Sequence, residues 1–551
     1  MSNAGDRIPR GPYERGLTRE ELLRRAAFGG VLLTGFGALG AGCAGDDDAT
    51  TATGTGTGET DTTGQPKRGG TFRFGTTGGS AKDFIDGQHI VAKPDIVRLV
   101  ATFESLGRFD EEYVAQVDGL AEEITAEAAD RWTIRLREGI EFHNGKTVTA
   151  DDVIYSIQRI LNADLGLFGH GGFAAVDGNA IDKVDERTVT LNLTRPDSTL
   201  LDAFSQYYDA IVPEGYSPDG VGKGDPIGTG PYKVQSFEPG QRSVHVRNEN
   251  YWREGQPYFD EVQIIDFPTE TAKINALLGG QLDAISDVPY GQIPLIEGRE
   301  NLAIYESQTG AWDPICMRID QEPFKDARVR QAFRLIANRE EMVAQALAGH
   351  GSVANDIYSP FDPCYAGGDL PQREQDADQA KSLLSAAGQD GLTIDLYTTP
   401  ADTGMVECAQ VFAQNAKDAG VKVNVKNVDG GVFYGDQYLK WTFSTDYWGT
   451  RNYLAQVGAG SLPSSAFNET HWNHPEFNKL YEQALAAVDE DKRCELIGEM
   501  QQIEYDEGGH ILWGFKNLID AHSKSVAGLK PDRGTLNLNK YGNGFRTIYF
   551  V

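Results

Sequence analysis

Reactive side chains are scarce in this chain. Five cysteines are spread over 551 residues. Cys316, Cys364, Cys408 and Cys494 stand far apart, in none of the spacings that hold a metal, and no close pair marks a disulfide-stapled fold. One or two bridges remain open to them in an oxidising compartment. Cations are short as well: 50 Lys and Arg against 81 Asp and Glu leave a net charge of −31, so nucleic acid and anionic lipid surfaces are poor partners. The chain has no Gly-x-Ser-x-Gly elbow, no His-Glu-x-x-His zinc pair and no Gly-x-x-x-x-Gly-Lys phosphate loop. Acids are too numerous to single out a hydrolytic pair. His471 and His474 are close together around Trp472, but no third or fourth ligand is apparent, and Pro475 points to a loop there. Neither a cofactor nor a metal is expected.

Long apolar runs are missing too. An uncharged, mostly apolar or glycine stretch, residues 26–41, is too short to cross a bilayer comfortably as a helix. It follows six arginines (Arg7, Arg10, Arg15, Arg19, Arg24, Arg25) and precedes Gly42, Cys43 and the acids Asp46-Asp47-Asp48. A cationic start, a short apolar core and small residues make an export signal. Cys43 after Gly-Ala-Gly fits lipoprotein processing, with an acylated Cys43 as the first mature residue, although Gly40 stands where such signals usually carry Leu. The Arg24-Arg25 pair leaves the twin-arginine route open beside the general one. Residues 44–66 are almost entirely Thr, Gly, Asp and Ala. They bury too little to offset chain entropy and are expected to form a disordered tether.

More than 450 residues remain, 40% of the whole chain being hydrophobic, enough for two or three domains with sizeable cores. Trp132-Thr133-Ile134-Arg135-Leu136 alternates as a half-buried strand does, as do Val189-Leu191-Leu193 and Val244-Val246. Thr149 with Asp152 three residues on approaches a capping box for a helix whose apolar face carries Val153, Ile154, Ile157, Ile160 and Leu161. Asp326 caps another helix, through Val329, Ala332, Phe333 and Ile336, and a further one runs through Ala380, Leu383, Leu384 and Ala387. Farther on, strand 392–397, helix 405–419 and strand 421–425 form a β-α-β unit, which implies parallel pairing with a right-handed crossover.

Several segments now stand in a telling order. Leu136-Arg137-Glu138-Gly139-Ile140-Glu141-Phe142-His143-Asn144-Gly145 continues through Thr149-Ala150-Asp151-Asp152-Val153. Pro226-Ile227-Gly228-Thr229-Gly230-Pro231-Tyr232-Lys233, Arg247-Asn248 with Tyr251-Trp252-Arg253, Thr271-Ala272 with Gly280-Gln281-Leu282-Asp283, and Phe324-Lys325-Asp326-Ala327-Arg328-Val329-Arg330-Gln331-Ala332 follow. Together, from about Arg68 to the C-terminus, they resemble the extracellular solute-binding proteins of family 5, the dipeptide-, oligopeptide- and nickel-binding receptors of ABC importers. The Gly228–Tyr232 and Gly139–Gly145 motifs read as architecture rather than as solute contacts.

The resemblance implies an α/β fold of two lobes joined by a hinge, with an extra subdomain inserted in lobe I. Lobe I takes residues 67–103, 213–308 and 512–551; the inserted subdomain takes 104–212 and lobe II 309–511, behind a signal (1–43) and tether (44–66). Peptide-binding members carry a lobe II aspartate that pairs with the peptide ammonium, and Asp446 in Asp446-Tyr447-Trp448-Gly449-Thr450-Arg451 holds the similar place. The usual Asp-Pro that follows is replaced by Gly449-Thr450. Trp448 and Arg451 are additions suited to stacking and to gripping a carboxylate, while Tyr447, Trp448 and Tyr453 also fit as core aromatics. Where peptide receptors commonly carry Asn, this chain has Arg318, which either reaches the cleft or pairs with Asp320 or Asp313. Trp312 is an aromatic candidate for the cleft wall. The implied protein is a monomer held to the membrane by a lipid on Cys43, on the outer face of the cell membrane or in the periplasm. It captures a peptide or peptide-like solute for an ABC permease and its ATPase. A nickel chelate, an opine-like conjugate or an oligosaccharide is the alternative cargo, and a secreted hydrolase the alternative of another class.

Overall fold

A computed structural model describes residues 65–551, apart from Val91 and Pro218. The signal, Cys43 and nearly all of the tether lie outside the described residues. Among the described residues no helix is long and apolar enough to cross a membrane.

Three sheets organise the chain. The first runs in the order Leu302–Ala311, Gly514–Ser523, Ala284–Ile285, Thr71–Thr77, Glu261–Phe267, Arg242–Arg247, Tyr232–Glu238, with Gly351–Val353 also paired to Gly514–Ser523. Thr71–Thr77 is its central strand, parallel to both neighbours. Phe72 and Phe74 point to one face, where they meet Phe259, Tyr541 and Phe545. The chain leaves this sheet after helix Lys93–Thr102 and returns at Tyr232–Glu238. In between it builds an antiparallel sheet ordered Ala121–Ala128, Arg131–Leu136, Thr188–Leu193, Val176–Lys183. Trp132, Ile134 and Leu136 face inward in alternation and pack on Val153, Ile157 and Ile160 of helix Ala150–Leu161. That helix begins with the expected capping box: Asp152 accepts the Thr149 N–H at 2.9 Å. Each fully buried aliphatic or aromatic side chain here contributes about 1.5–3 kcal/mol.

The third sheet is ordered Lys422–Asn427, Thr393–Thr398, Phe443–Thr445, Ile315–Met317, His510–Ile511. The β-α-β unit is present: Thr393–Thr398 and Lys422–Asn427 pair in parallel, joined by helix Met405–Asn415, whose Cys408, Phe412 and Ala409 sit in the same core as Phe333 and Phe443. Two short crossings connect the first and third sheets, residues 312–314 after Leu302–Ala311 and 512–513 before Gly514–Ser523. The result is two lobes, the first carrying the extra subdomain. Cys364 and Cys494 form a disulfide, while Cys316 and Cys408 are buried thiols.

One local expectation fails. Pro475 does not mark a loop; it opens helix Pro475–Ala486, with His474 as the cap accepting the Phe477 N–H. The first helical position has no intrahelical use for an N–H, so proline fits there.

Candidate functional site

A cleft of about 2670 Å³ lies between the lobes, well beyond the 300–1,000 Å³ typical of small-ligand pockets. Its third-sheet side forms where strand Phe443–Thr445 ends. The segment from Asp446 to Asn452 leaves the carboxyl edge of that strand, the edge at which open α/β sheets bind ligands. Gly449, Thr450 and Asn452 hold the segment in place. Thr450 Oγ1 accepts the Gly310 N–H at 2.9 Å and donates to the Arg533 carbonyl at 2.9 Å.

Of the six residues expected to meet a solute, three line the cleft: Tyr447, Trp448 and Arg451. The Arg451 guanidinium lies over the Trp448 ring, 5.3 Å from its centroid, an arrangement that holds a cation without neutralising it. The other three sit behind this wall. Asp446 is 1% exposed; its carboxylate accepts the Tyr434 hydroxyl at 3.2 Å, the Tyr438 hydroxyl at 2.9 Å and the Tyr447 N–H at 2.8 Å. Trp312 is buried, stacked between Tyr358 and Trp448 at 5.4 and 6.3 Å, and backs the wall instead of forming it. Its chain is bridged to Trp448, which fixes the indole inside. Arg318 turns away: Nε and Nη2 donate to Asp320 at 2.8 and 2.7 Å, and Nη1 donates to the Leu439 carbonyl at 2.6 Å. Held by these three bonds, Arg318 is not among the residues that line the cleft.

The opposite side carries residues that sequence reading missed. Phe109, Tyr113, Tyr207, Tyr208 and Asp209 from the inserted subdomain line the cleft, with Lys93, Asp287, Lys516 and Lys540 from the first-sheet lobe and Asp402 from the other. An adjacent Tyr207-Tyr208-Asp209 run just before the chain returns to the first sheet was the available signal. Burial raises all three tyrosine phenols, and the nearby Arg451 charge opposes the rise. Lys516 pairs with Asp313 at 2.6 Å and with Asp402. Two carboxylates hold its ammonium charged, while burial pushes Asp313 up to about 8. Lys93 pairs with Asp287. Contacts join the two sides: the Tyr113 hydroxyl donates to the Thr450 carbonyl at 3.0 Å, Asn452 Nδ2 to Asp202 at 2.8 Å, and the Ser198 N–H to the Leu485 carbonyl at 2.8 Å. The two sides thus meet across the cleft.

Among the described residues, Cys316, Glu469 and His510 bring donor atoms within 4.8 Å of one another. His510 Nε2 and Glu469 Oε2 are 3.8 Å apart. Burial drops His510 to about 4, which keeps the ring neutral. The cluster is covered in the third-sheet lobe, away from the cleft lining.

The model of the bacterial extracellular solute-binding proteins of family 5 (middle) matches residues 115–467. The chain belongs to this family. It is a solute-binding protein of ABC importers, not an enzyme, and members of the family work in the periplasm or outside the cell. The glutathione-binding protein GsiB of Salmonella typhimurium (strain LT2) is 25% identical over 423 residues, 73% of this chain and 81% of the relative. GsiB of Escherichia coli O157:H7 is 24% identical over 423 residues, 73% of this chain and 81% of the relative. Solved structures share the fold. The ABC transporter substrate-binding protein CtaP of Listeria monocytogenes has a TM-score of 0.77 at 20% identity, covering 88% of this chain and 100% of its own. AgaA of A. tumefaciens R10, solved with agropinic acid, has 0.73 at 22%, covering 88% and 99%.

Proposed function

We propose that this family 5 receptor carries a peptide or a peptide-like small solute, held between Tyr447, Trp448 and Arg451 of one lobe and the tyrosine-rich wall of the other. The observation that supports this most is the Arg451–Trp448 pair: an uncommitted cation stacked on an indole at the cleft surface, suited to a carboxylate beside an apolar or aromatic group. The width of the cleft supports a solute larger than one amino acid. Asp446 acts from behind, fixing the hydroxyls of Tyr434 and Tyr438 and so the wall they belong to; Trp312 and Arg318 stiffen the same lobe. Closure on the solute is the form that the permease and its ATPase recognise. We further propose that the chain works as a monomer tethered by an acyl group on Cys43. Cys43→Ala should release it from the membrane fraction.

Thermal unfolding of the full chain against di- to pentapeptides, opines, nickel-histidine and cello-oligosaccharides tests the solute. A ligand at a hundred times its Kd adds about 2.7 kcal/mol and a clear rise in midpoint. Peptides should raise the midpoint, and Trp448→Ala with Arg451→Gln should abolish the rise. A rise with another class alone overturns the peptide reading and leaves the receptor intact.

A further inference from the structure

Every buried carboxylate in a folded chain needs a partner, because taking the charge out of water is costly. Asp209 is 4% exposed and lines the cleft, yet its Oδ1 accepts no hydrogen bond among the described residues. Burial alone raises its carboxyl well above the usual range; no cation offsets it. The covering is specific. A Cβ on Gly169 would lie 1.7 Å from Asp209 Oδ1, so only a residue without a side chain lets the loop that includes Phe168–Gly171 settle onto the carboxylate. That loop closes one side of Asp209 with backbone that offers no cation. Across the cleft stands Arg451, likewise without a carboxylate at ion-pair distance among the described residues. Both charges act on the same two phenols, Tyr207 and Tyr208.

We propose that Asp209 is the anchor for a cationic group of the solute, and that with Arg451 on the facing lobe it selects a zwitterion whose ammonium lies toward the inserted subdomain and whose carboxylate lies toward the other lobe. The inference rests on the peptide-like reading above and gives it a direction. An arriving ammonium supplies the charge-assisted bond that the carboxylate lacks, through Oδ2, since Oδ1 lies against Gly169. Because each charge belongs to a different side, the solute is bound fully only when the lobes are closed, so its two ends reward closure together. Asp446 does not take this part at the cleft surface: it is buried behind the wall, where Tyr434 and Tyr438 donate to its oxygens.

The test uses the full chain and a defined set of di- to pentapeptides, each also N-acetylated and, separately, C-amidated, with binding read by calorimetry. For free peptides Asp209→Asn, which keeps the shape and removes the charge, should weaken binding about tenfold to a hundredfold. N-acetyl peptides should bind the parent chain as weakly as free peptides bind the variant, and the variant should not weaken them further. Arg451→Gln should do the same for the C-amides. Equal binding of free peptides to parent and Asp209→Asn overturns the proposal and leaves the peptide reading standing. Binding of neutral sugars alone overturns both. A measurement without ligand stands beside these: relieved of an unpaired buried charge, unliganded Asp209→Asn should melt at or above the parent midpoint. A fall in that midpoint would show that the carboxylate serves the fold and would overturn the anchor.

Discussion

Two carboxylates approach the cleft from opposite sides, and they differ in what surrounds them. Asp446 follows a strand of the third sheet and accepts two tyrosine hydroxyls and a backbone N–H. Asp209 follows a short helix of the inserted subdomain and has only burial acting on it. A family motif leads to the first; the energetics of desolvation lead to the second. A carboxylate already satisfied by its own fold has little left for a solute, whereas one left unsatisfied at a cleft surface is completed by whatever binds there. Asp356 supplies the reference for full satisfaction. Buried, it pairs with Arg339 at 2.7 Å and with Arg373 at 2.8 Å, lies 4.0 Å from Arg334, and accepts the Leu512 N–H of one interlobe crossing at 3.0 Å.

The series Asp356, Asp446, Asp209 therefore predicts a graded loss on removal. Asp356→Ala strands buried guanidinium groups and should cost about 3–5 kcal/mol by denaturant unfolding. Its arginines hold the carboxyl below 3.8. A lowered carboxyl contributes stability above its unfolded value and loses it as pH falls through the folded one, so the variant should differ most from the parent at neutral pH and converge with it in acid. Asp446→Ala leaves two buried phenol donors without their acceptor and should cost about 1–3 kcal/mol. If it also abolished peptide binding while Asp209→Asn did not, the contrast between the two walls would be inverted.

Asp209 should behave with the opposite sign. Its carboxyl is raised above 3.8, so the folded chain binds more protons than the unfolded one, and its contribution falls as pH rises above the unfolded value. Asp209→Asn should match the parent near pH 3 and become progressively the more stable of the two toward neutrality. A difference that shrinks with rising pH would mean that a cation already holds the carboxylate.

What could be read from the sequence follows the range of the interactions involved. The Thr149–Asp152 cap, the alternating strand at Trp132 and the parallel β-α-β unit around Met405–Asn415 depend on neighbours within a few dozen residues, and they were legible. Asp446 was legible because the segment resembles a known one, and Trp448 and Arg451 as additions to that pattern, but whether each side chain faces solvent or a tyrosine was not. Tyr434 and Tyr438 come from a separate turn, and nothing in the spacing says that both hydroxyls reach Asp446. Arg318 is the simplest case. Asp320, two residues away, was visible as a partner, and the short-range pairing prevailed over the reach into the cleft. Asp209 was the least legible, since its isolation depends on Gly169 lying against it forty residues away in sequence.

The smallest expected effect separates closure from charge selection. The Tyr113 hydroxyl comes from the inserted subdomain and donates to the Thr450 carbonyl on the other side, so it exists only when the walls meet. Tyr113→Phe keeps the ring, which stacks on Phe109 at 4.3 Å, and removes the bond across the cleft, worth about 0.5–1.5 kcal/mol, together with the hydroxyl's interaction with Gln206 on its own side. The loss of the Thr450 bond falls on the closed form alone, since Gln206 lies on the same side as Tyr113 in either form. Affinity for every solute should therefore drop by the same factor, about two- to tenfold, whether the peptide is free, acetylated or amidated. The ratio of free to acetylated binding should stay as in the parent, because Asp209 and Arg451 set that ratio and Tyr113 carries no charge to either end of the solute. A changed ratio would mean that the hydroxyl itself contacts the solute's ammonium or carboxylate, and the polarity of the cleft would then belong to the tyrosine wall as much as to the two charges.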